Sequence, residues 1–198
     1  MTRAIIHIGM PKCASTFLQH VYQKAGEEKK VGFAGFNAFR PLIQQSMHKA
    51  TDGKVSVFDT DPGTDIPLPT SQGLPIFATN EIFCGIYPLA YRFQRDALMT
   101  PQMMRTYQEL VADYLKRIFF GYCGDGETHV LIMVRKPEDW LGSVYRNLVT
   151  MGLSERPVSY LKSRSSLLAQ WYNVDFLYDL YESHFGSGRV HVISIEML

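Results

Sequence analysis

With 198 residues, 46% of them hydrophobic, the chain is long enough to bury a substantial core, and its size suits one domain that is neither disordered nor fibrous. Lys and Arg number 20 against 19 Asp and Glu, so no overall basic field points to nucleic acid or to a membrane surface. The three cysteines, Cys13, Cys84 and Cys123, are widely spaced and odd in number, which fits neither a closed disulfide framework nor a zinc ligand set, and are expected to be reduced thiols. No signal-peptide pattern and no apolar run of about 18 residues is present, so a cytoplasmic location is expected.

Residues 4–8 read as an apolar strand that passes through a small-residue turn, Gly9-Met10-Pro11-Lys12-Cys13-Ala14-Ser15-Thr16. A helix of about ten residues follows, with Phe17, Leu18, Val21 and Tyr22 at helical spacing. Residues 51–75, rich in Gly, Pro, Asp and Thr with a short apolar alternation near 55–58, predict a surface excursion rather than a domain boundary. Residues 74–79 predict a short buried strand that ends at Asn80 and Glu81, where an open α/β sheet presents functional groups. Thr100 and Pro101 supply an N-cap and first-turn proline for a long helix whose buried stripe is Met104, Tyr107, Val111, Tyr114 and Ile118. Met103 and Met104 are packing residues in this reading, not cofactor contacts.

Residues 128–134 predict a continuous strand buried on both faces that ends at Arg135. A helix over 137–149 with Trp140, Val144 and Leu148 on one face, and another over 165–184 burying Leu167, Leu168, Trp171 and Tyr178, lead to a last strand at 189–195. The βα alternation predicts an α/β fold, a parallel β-sheet flanked by helices.

The first turn is built to hold phosphate. Small residues let an anion approach backbone N–H groups, a helix starting near Ser15 aims its positive end there, and Lys12 adds a cation while Ser15 and Thr16 add hydroxyls. It is not a Walker A loop, because Lys12 comes too early, which disfavours a nucleoside triphosphatase. A second candidate lies at Arg135-Lys136-Pro137-Glu138-Asp139-Trp140-Leu141-Gly142-Ser143, where Arg135 offers a planar fork and Ser143 a hydroxyl from the helix. The bland alternatives are a tight βα turn, a solvated arginine and an ordinary helical serine.

Together these segments resemble the PAPS-dependent sulfotransferase family. Its Pro-Lys-x-Gly-[Ser/Thr]-Thr loop is matched by Pro11 to Thr16, with Ala14 in place of the glycine, and its Arg-x-Pro-x-Asp-x-x-x-Ser segment is matched at Arg135, Pro137, Asp139 and Ser143. Alanine disfavours positive φ and narrows the backbone approach. The resemblance implies a P-loop-NTPase-like three-layer fold and a single sulfotransferase-like domain over residues 1–198 that lacks the usual C-terminal part. It implies 3′-phosphoadenosine 5′-phosphosulfate as sulfuryl donor, with Lys12, Cys13, Ala14, Ser15, Thr16 and Phe17 around the 5′-phosphosulfate and Arg135 and Ser143 on the 3′-phosphate.

It further implies that Lys12 stabilises charge on the leaving oxygen and that a strand-end residue is the general base, for which Glu81 is the candidate. An exposed helix-capping glutamate is the alternative for Glu81. His7 reads as a core or sheet-face residue, and His20, His48, His129, His184 and His191 are assigned no catalysis. No metal is predicted. Phe33, Phe36, Phe39, Tyr87 and Tyr91 are candidates for an acceptor pocket or for core, and Arg40, Arg92 and Arg95 for an anionic acceptor or a solvated face. The expected acceptor is a small molecule or glycan hydroxyl, a carbohydrate fitting a glutamate base, with no nucleic-acid or membrane partner. The competing readings are a non-catalytic nucleotide-binding regulatory module and a P-loop kinase, the latter opposed by the missing Walker A pattern and magnesium aspartate.

Overall fold

Among the described residues, five parallel strands form one sheet in the order β2-β3-β1-β4-β5: β1 is Ala4–Gly9, β2 Gly32–Ala34, β3 Ile76–Thr79, β4 Thr128–Val134 and β5 Val190–Ser194. The computed structural model describes residues 3–10, 13, 15–51, 68, 73–84, 99–123, 127–150 and 152–197. The helices are α1 (Ser15–Glu27), α2 (Arg40–Ala50), α3 (Pro101–Cys123), α4 (Pro137–Thr150), α5 (Pro157–Trp171) and α6 (Val174–Phe185). The predicted α/β architecture, a parallel sheet between helical layers, is the one observed.

The strand order, with right-handed crossovers, fixes which face each connecting helix covers. The β1-to-β2 connection runs toward one edge of the sheet and the β3-to-β4 and β4-to-β5 connections toward the other, so right-handed crossovers lay α1 on one face and α3 on the opposite face. The change of direction falls beside β1, and an open α/β sheet places its ligand crevice at such a point.

Three elements depart from expectation. β2 and α2 were not predicted: β2 is only Gly-Phe-Ala, too short for a period-2 signal, whereas Leu42, Ile43, Met47 and Ala50 of α2 are buried at helical spacing behind a proline in the first turn. The single helix expected over 165–184 is two helices. Asn173 breaks it, its side chain accepting from the Phe176 N–H at 3.0 Å to cap α6, while α5 begins earlier, at Pro157. Tyr178, expected in the core, is half-buried and donates to Glu182. Gly186, at φ +97°, then ends α6 ahead of β5.

The buried stripes also shift. In α3, Met104, Tyr107 and Val111 are buried as expected, but the stripe continues through Leu115 and Phe119 while Tyr114 and Ile118 are half-buried. A 3.6-residue helix drifts against a strict 3-4 spacing, which moves the buried face one position per few turns. Thr100 caps α3 as predicted, its hydroxyl accepting from the Met103 N–H at 3.1 Å. Of the four apolar α1 residues expected on one face, Leu18 and Tyr22 are half-buried, Tyr22 stacking on Phe77 of β3 with ring centroids 3.5 Å apart, while Phe17 and Val21 are exposed.

β4 is buried on both faces toward its end, at Ile132 and Met133; nearer its start Leu131 is half-buried and His129 is exposed, stacking on His191 of β5. Among the described residues no helix is long and apolar enough to cross a membrane. The surface excursion predicted over 51–75 lies mostly outside the described residues; Leu68, within it, is buried and its carbonyl accepts from the Tyr122 hydroxyl.

Candidate functional site

β1 lies between β3 and β4 with His7 beside Thr79 and Gly9 beside Met133, so the turn that leaves β1 opens between the ends of its two neighbours. The Met10 N–H donates to the Met133 carbonyl at 3.3 Å, and the Cys13 N–H returns to the Met10 carbonyl at 3.0 Å, closing a tight turn. Behind it the Cys84 thiol donates to the Gly9 carbonyl at 3.2 Å, and the Cys84 carbonyl accepts from the Gln108 side chain of α3 at 2.6 Å. Cys13 and Cys84 are thus buried supports of the turn. Neither cysteine nor Cys123 is in a disulfide.

Lys12 and Ala14 lie outside the described residues, as do Tyr87, Tyr91, Arg92 and Arg95. Ser15 and Thr16 form the first positions of α1, with their side chains outside the described set, and Phe17 is 64% exposed in the first turn. Glu81 opens a single 3-10 turn, Glu81–Cys84, directly after β3; its side chain is likewise outside the described set. The adjoining Asn80 N–H reaches the His7 carbonyl at 3.4 Å, so the Glu81 backbone leaves the sheet next to β1.

His7 is buried, as expected. Its Nδ1 is 2.8 Å from the Thr79 hydroxyl, and burial pushes its pKa down to about 4. The residue is therefore a neutral cross-strand tie between the two strands that carry the turn and Glu81. Phe39, weighed as a pocket residue, is core, edge-on to Phe83 and stacked near Phe119.

The second segment is held more fully in view. Arg135 follows β4, and its carbonyl accepts from the Tyr172 hydroxyl at the end of α5. Burial raises the Tyr172 phenol, with Cys13, Glu196 and Glu138 adding to the shift, so the hydroxyl stays protonated and donates. The Arg135 Nε is buried without a hydrogen-bond partner, and no carboxylate among the described residues pairs with this guanidinium. The next residue has a different fate: the Lys136 N–H donates to the Glu196 carboxylate at 3.1 Å, and the Ser194 hydroxyl donates to the same carboxylate. Those two donors hold the Glu196 pKa down. The N-terminal approach to α4 thus already carries a carboxylate, while Arg135 and Ser143 of this segment are half-buried.

A cavity of about 360 Å³ missed in the sequence lies between α4 and α5, walled by Trp140, Leu141, Leu161, Leu168 and Tyr172. Trp140 also packs edge-on to Trp171 at 5.2 Å. On the α5 side Leu161, Ser165, Leu168 and Tyr172 recur at helical spacing, the signal that the sequence carries; a helix beginning at Ser165 leaves Leu161 out of that face. Among the described residues no three His, Cys, Asp or Glu side chains gather as a metal site.

No family model and no curated protein matches the chain. Among solved structures it is similar to a sulfotransferase from Alicyclobacillus acidocaldarius, with a TM-score of 0.53 and 14% identity over 100% of this chain and 74% of that one. The α/β fold is shared with that sulfotransferase; at this identity the likeness is one of fold.

The side chains in view fit the donor that the sequence resemblance implies. The Arg135 Nε–H has no hydrogen-bond partner among the described residues, a donor of the kind a phosphate accepts from, and Arg135 directly follows the strand adjoining the β1 turn.

Proposed function

We propose that this protein is a sulfotransferase that moves a sulfuryl group from 3′-phosphoadenosine 5′-phosphosulfate to an acceptor hydroxyl, with carbohydrate as the favoured acceptor class. The observation that carries the reading is the Arg135 Nε–H at the end of β4, buried without a hydrogen-bond partner among the described residues, one strand from a Lys-Ser-Thr turn, on a fold shared with a sulfotransferase. The donor supplies an activated sulfuryl group. Residues of the turn, Lys12, Cys13, Ala14, Ser15, Thr16 and Phe17, surround its 5′ end, and Arg135 with Ser143 holds its 3′-phosphate.

In the transfer, the acceptor oxygen forms a bond to sulfur as the bond from sulfur to the phosphate oxygen breaks. The electron pair of the broken bond goes to that phosphate oxygen, where Lys12 stabilises the charge. The acceptor proton goes to Glu81, which leaves the sheet beside β1 on the same edge as the turn. The His7–Thr79 tie keeps the two strands in register, which sets the distance between base and turn.

Calorimetry with adenosine 3′,5′-bisphosphate tests the reading. The folded protein is expected to bind it, and Lys12→Ala and Arg135→Ala are each expected to weaken binding. No binding by the folded protein would remove the assignment; binding without transfer to glycan, phenol or alcohol acceptors would favour a nucleotide-binding module.

A further inference from the structure

The peptide that carries Arg135 is held from both sides. Its carbonyl accepts from the Tyr172 hydroxyl, and the following N–H, at Lys136, donates to Glu196, which lies in the short 3-10 turn after β5. The Glu196 carboxylate is itself oriented by the Ser194 hydroxyl, so β5 reaches across to the β4–α4 junction through one side chain. Its two oxygens have separate tasks: Oε1 takes the Lys136 N–H and Oε2 takes the Ser194 hydroxyl. No cation among the described residues pairs with this carboxylate within ion-pair distance, so backbone and hydroxyl donors hold it in place of a guanidinium.

This arrangement separates two donors that could compete for one anion. If the Lys136 N–H were open, an incoming phosphate would be drawn to the start of α4; with the Glu196 oxygen already accepting from that N–H, Arg135 is left as the donor. A guanidinium recognises phosphate through two parallel N–H···O bonds, and that geometry requires the backbone beneath it to be fixed.

We propose that Glu196 is a positioning residue of the 3′-phosphate subsite: its carboxylate occupies the Lys136 N–H, fixes the β4–α4 junction and leaves the Arg135 fork as the donor that reads a 3′-phosphate. The inference rests on the proposed nucleotide-binding reading. It assigns Glu196 a role in discriminating between nucleotides that carry and lack that group, and no contact with the reacting atoms.

The test measures the affinity of the full chain for adenosine 3′,5′-bisphosphate and for adenosine 5′-phosphate, in the wild type, Glu196→Ala and Glu196→Gln. The wild type is expected to prefer the bisphosphate. Glu196→Ala is expected to lose about tenfold of that preference through the bisphosphate alone, the size of one lost hydrogen bond to a charged group. Glu196→Gln keeps an oxygen that can accept from Lys136 and is expected to retain most of the preference. A merely structural role would weaken both nucleotides alike. A wild type with no preference overturns the nucleotide reading itself. A wild type with a preference that Glu196→Ala preserves, or a Gln variant as impaired as the Ala variant, overturns the positioning role and leaves that reading standing.

Discussion

Arg135→Met removes the guanidinium and keeps an unbranched stem of similar reach, so it separates what Arg135 does for the fold from what it does for an anion. In the folded chain the Nε is buried with no partner, and the guanidinium has no ion pair among the described residues. An unsatisfied buried donor carries a desolvation cost of about 1–3 kcal/mol, part of which the substitution recovers. The variant should therefore be between unchanged and about 1 kcal/mol more stable in urea unfolding. Its melting temperature should rise by no more than about 2–4 °C for a chain of this size. Binding should move the other way. Charge-assisted hydrogen bonds contribute about 1.5–3 kcal/mol, so affinity for adenosine 3′,5′-bisphosphate should fall by about 10- to 150-fold. Adenosine 5′-phosphate, which lacks the 3′ group, should bind the variant as it binds the wild type. A variant destabilised by more than about 2 kcal/mol would show that the guanidinium supports the fold, and unchanged bisphosphate affinity would refute its role in the site.

His7 makes stability depend on pH. Its folded pKa, pushed down to about 4 by burial, lies below the ordinary value of 6.5, so the unfolded chain binds the proton first. Stability from the neutral imidazole is complete above about pH 6.5 and is lost as pH falls toward 4, by up to about 3 kcal/mol. Urea midpoints measured from pH 7 to 4 should show this decline and His7→Gln should flatten it; an equal slope in both would contradict the burial argument. Asn173→Ala removes the side-chain cap of α6 and should cost about 1 kcal/mol by thermal or urea unfolding, with a loss under about 0.3 kcal/mol showing that the α5–α6 break does not depend on it. Glu81→Gln should leave bisphosphate affinity intact and lower turnover by about 10²- to 10⁴-fold, and unchanged turnover would remove Glu81 as the base.

Much of the sheet was legible because its central strands carry strong local signals. β4 is an unbroken apolar run between polar ends, and β1 runs into its turn without a competing pattern. β2 was not legible: three residues cannot display a period, and the strand exists because β3 pairs with it. The split at Asn173 was written in a standard capping residue, but apolar residues on both sides of it mimic one continuous helix. Exposure of His129 reflects how far along β4 the covering layer extends, since Met133 on the same face is buried, a tertiary property that no local pattern reports.

The site was legible to a different degree in its two halves. Arg135 and Ser143 were candidates because their motif is contiguous, falls at a strand-to-helix junction and pairs with the Lys12 turn in a family resemblance. Glu196 and Tyr172 were invisible to that reasoning because they meet the junction from residues 60 and 37 positions away. Side chains that hold a backbone in place leave no spacing signal; they become apparent only when each backbone donor and acceptor is followed to its partner.

Sulfuryl transfer itself is the most direct test. Incubating the protein with 3′-phosphoadenosine 5′-phosphosulfate and a panel of glycan acceptors should release adenosine 3′,5′-bisphosphate in step with sulfated product, and Lys12→Ala should abolish both. A folded protein that binds neither the donor nor the bisphosphate would contradict the account at its centre.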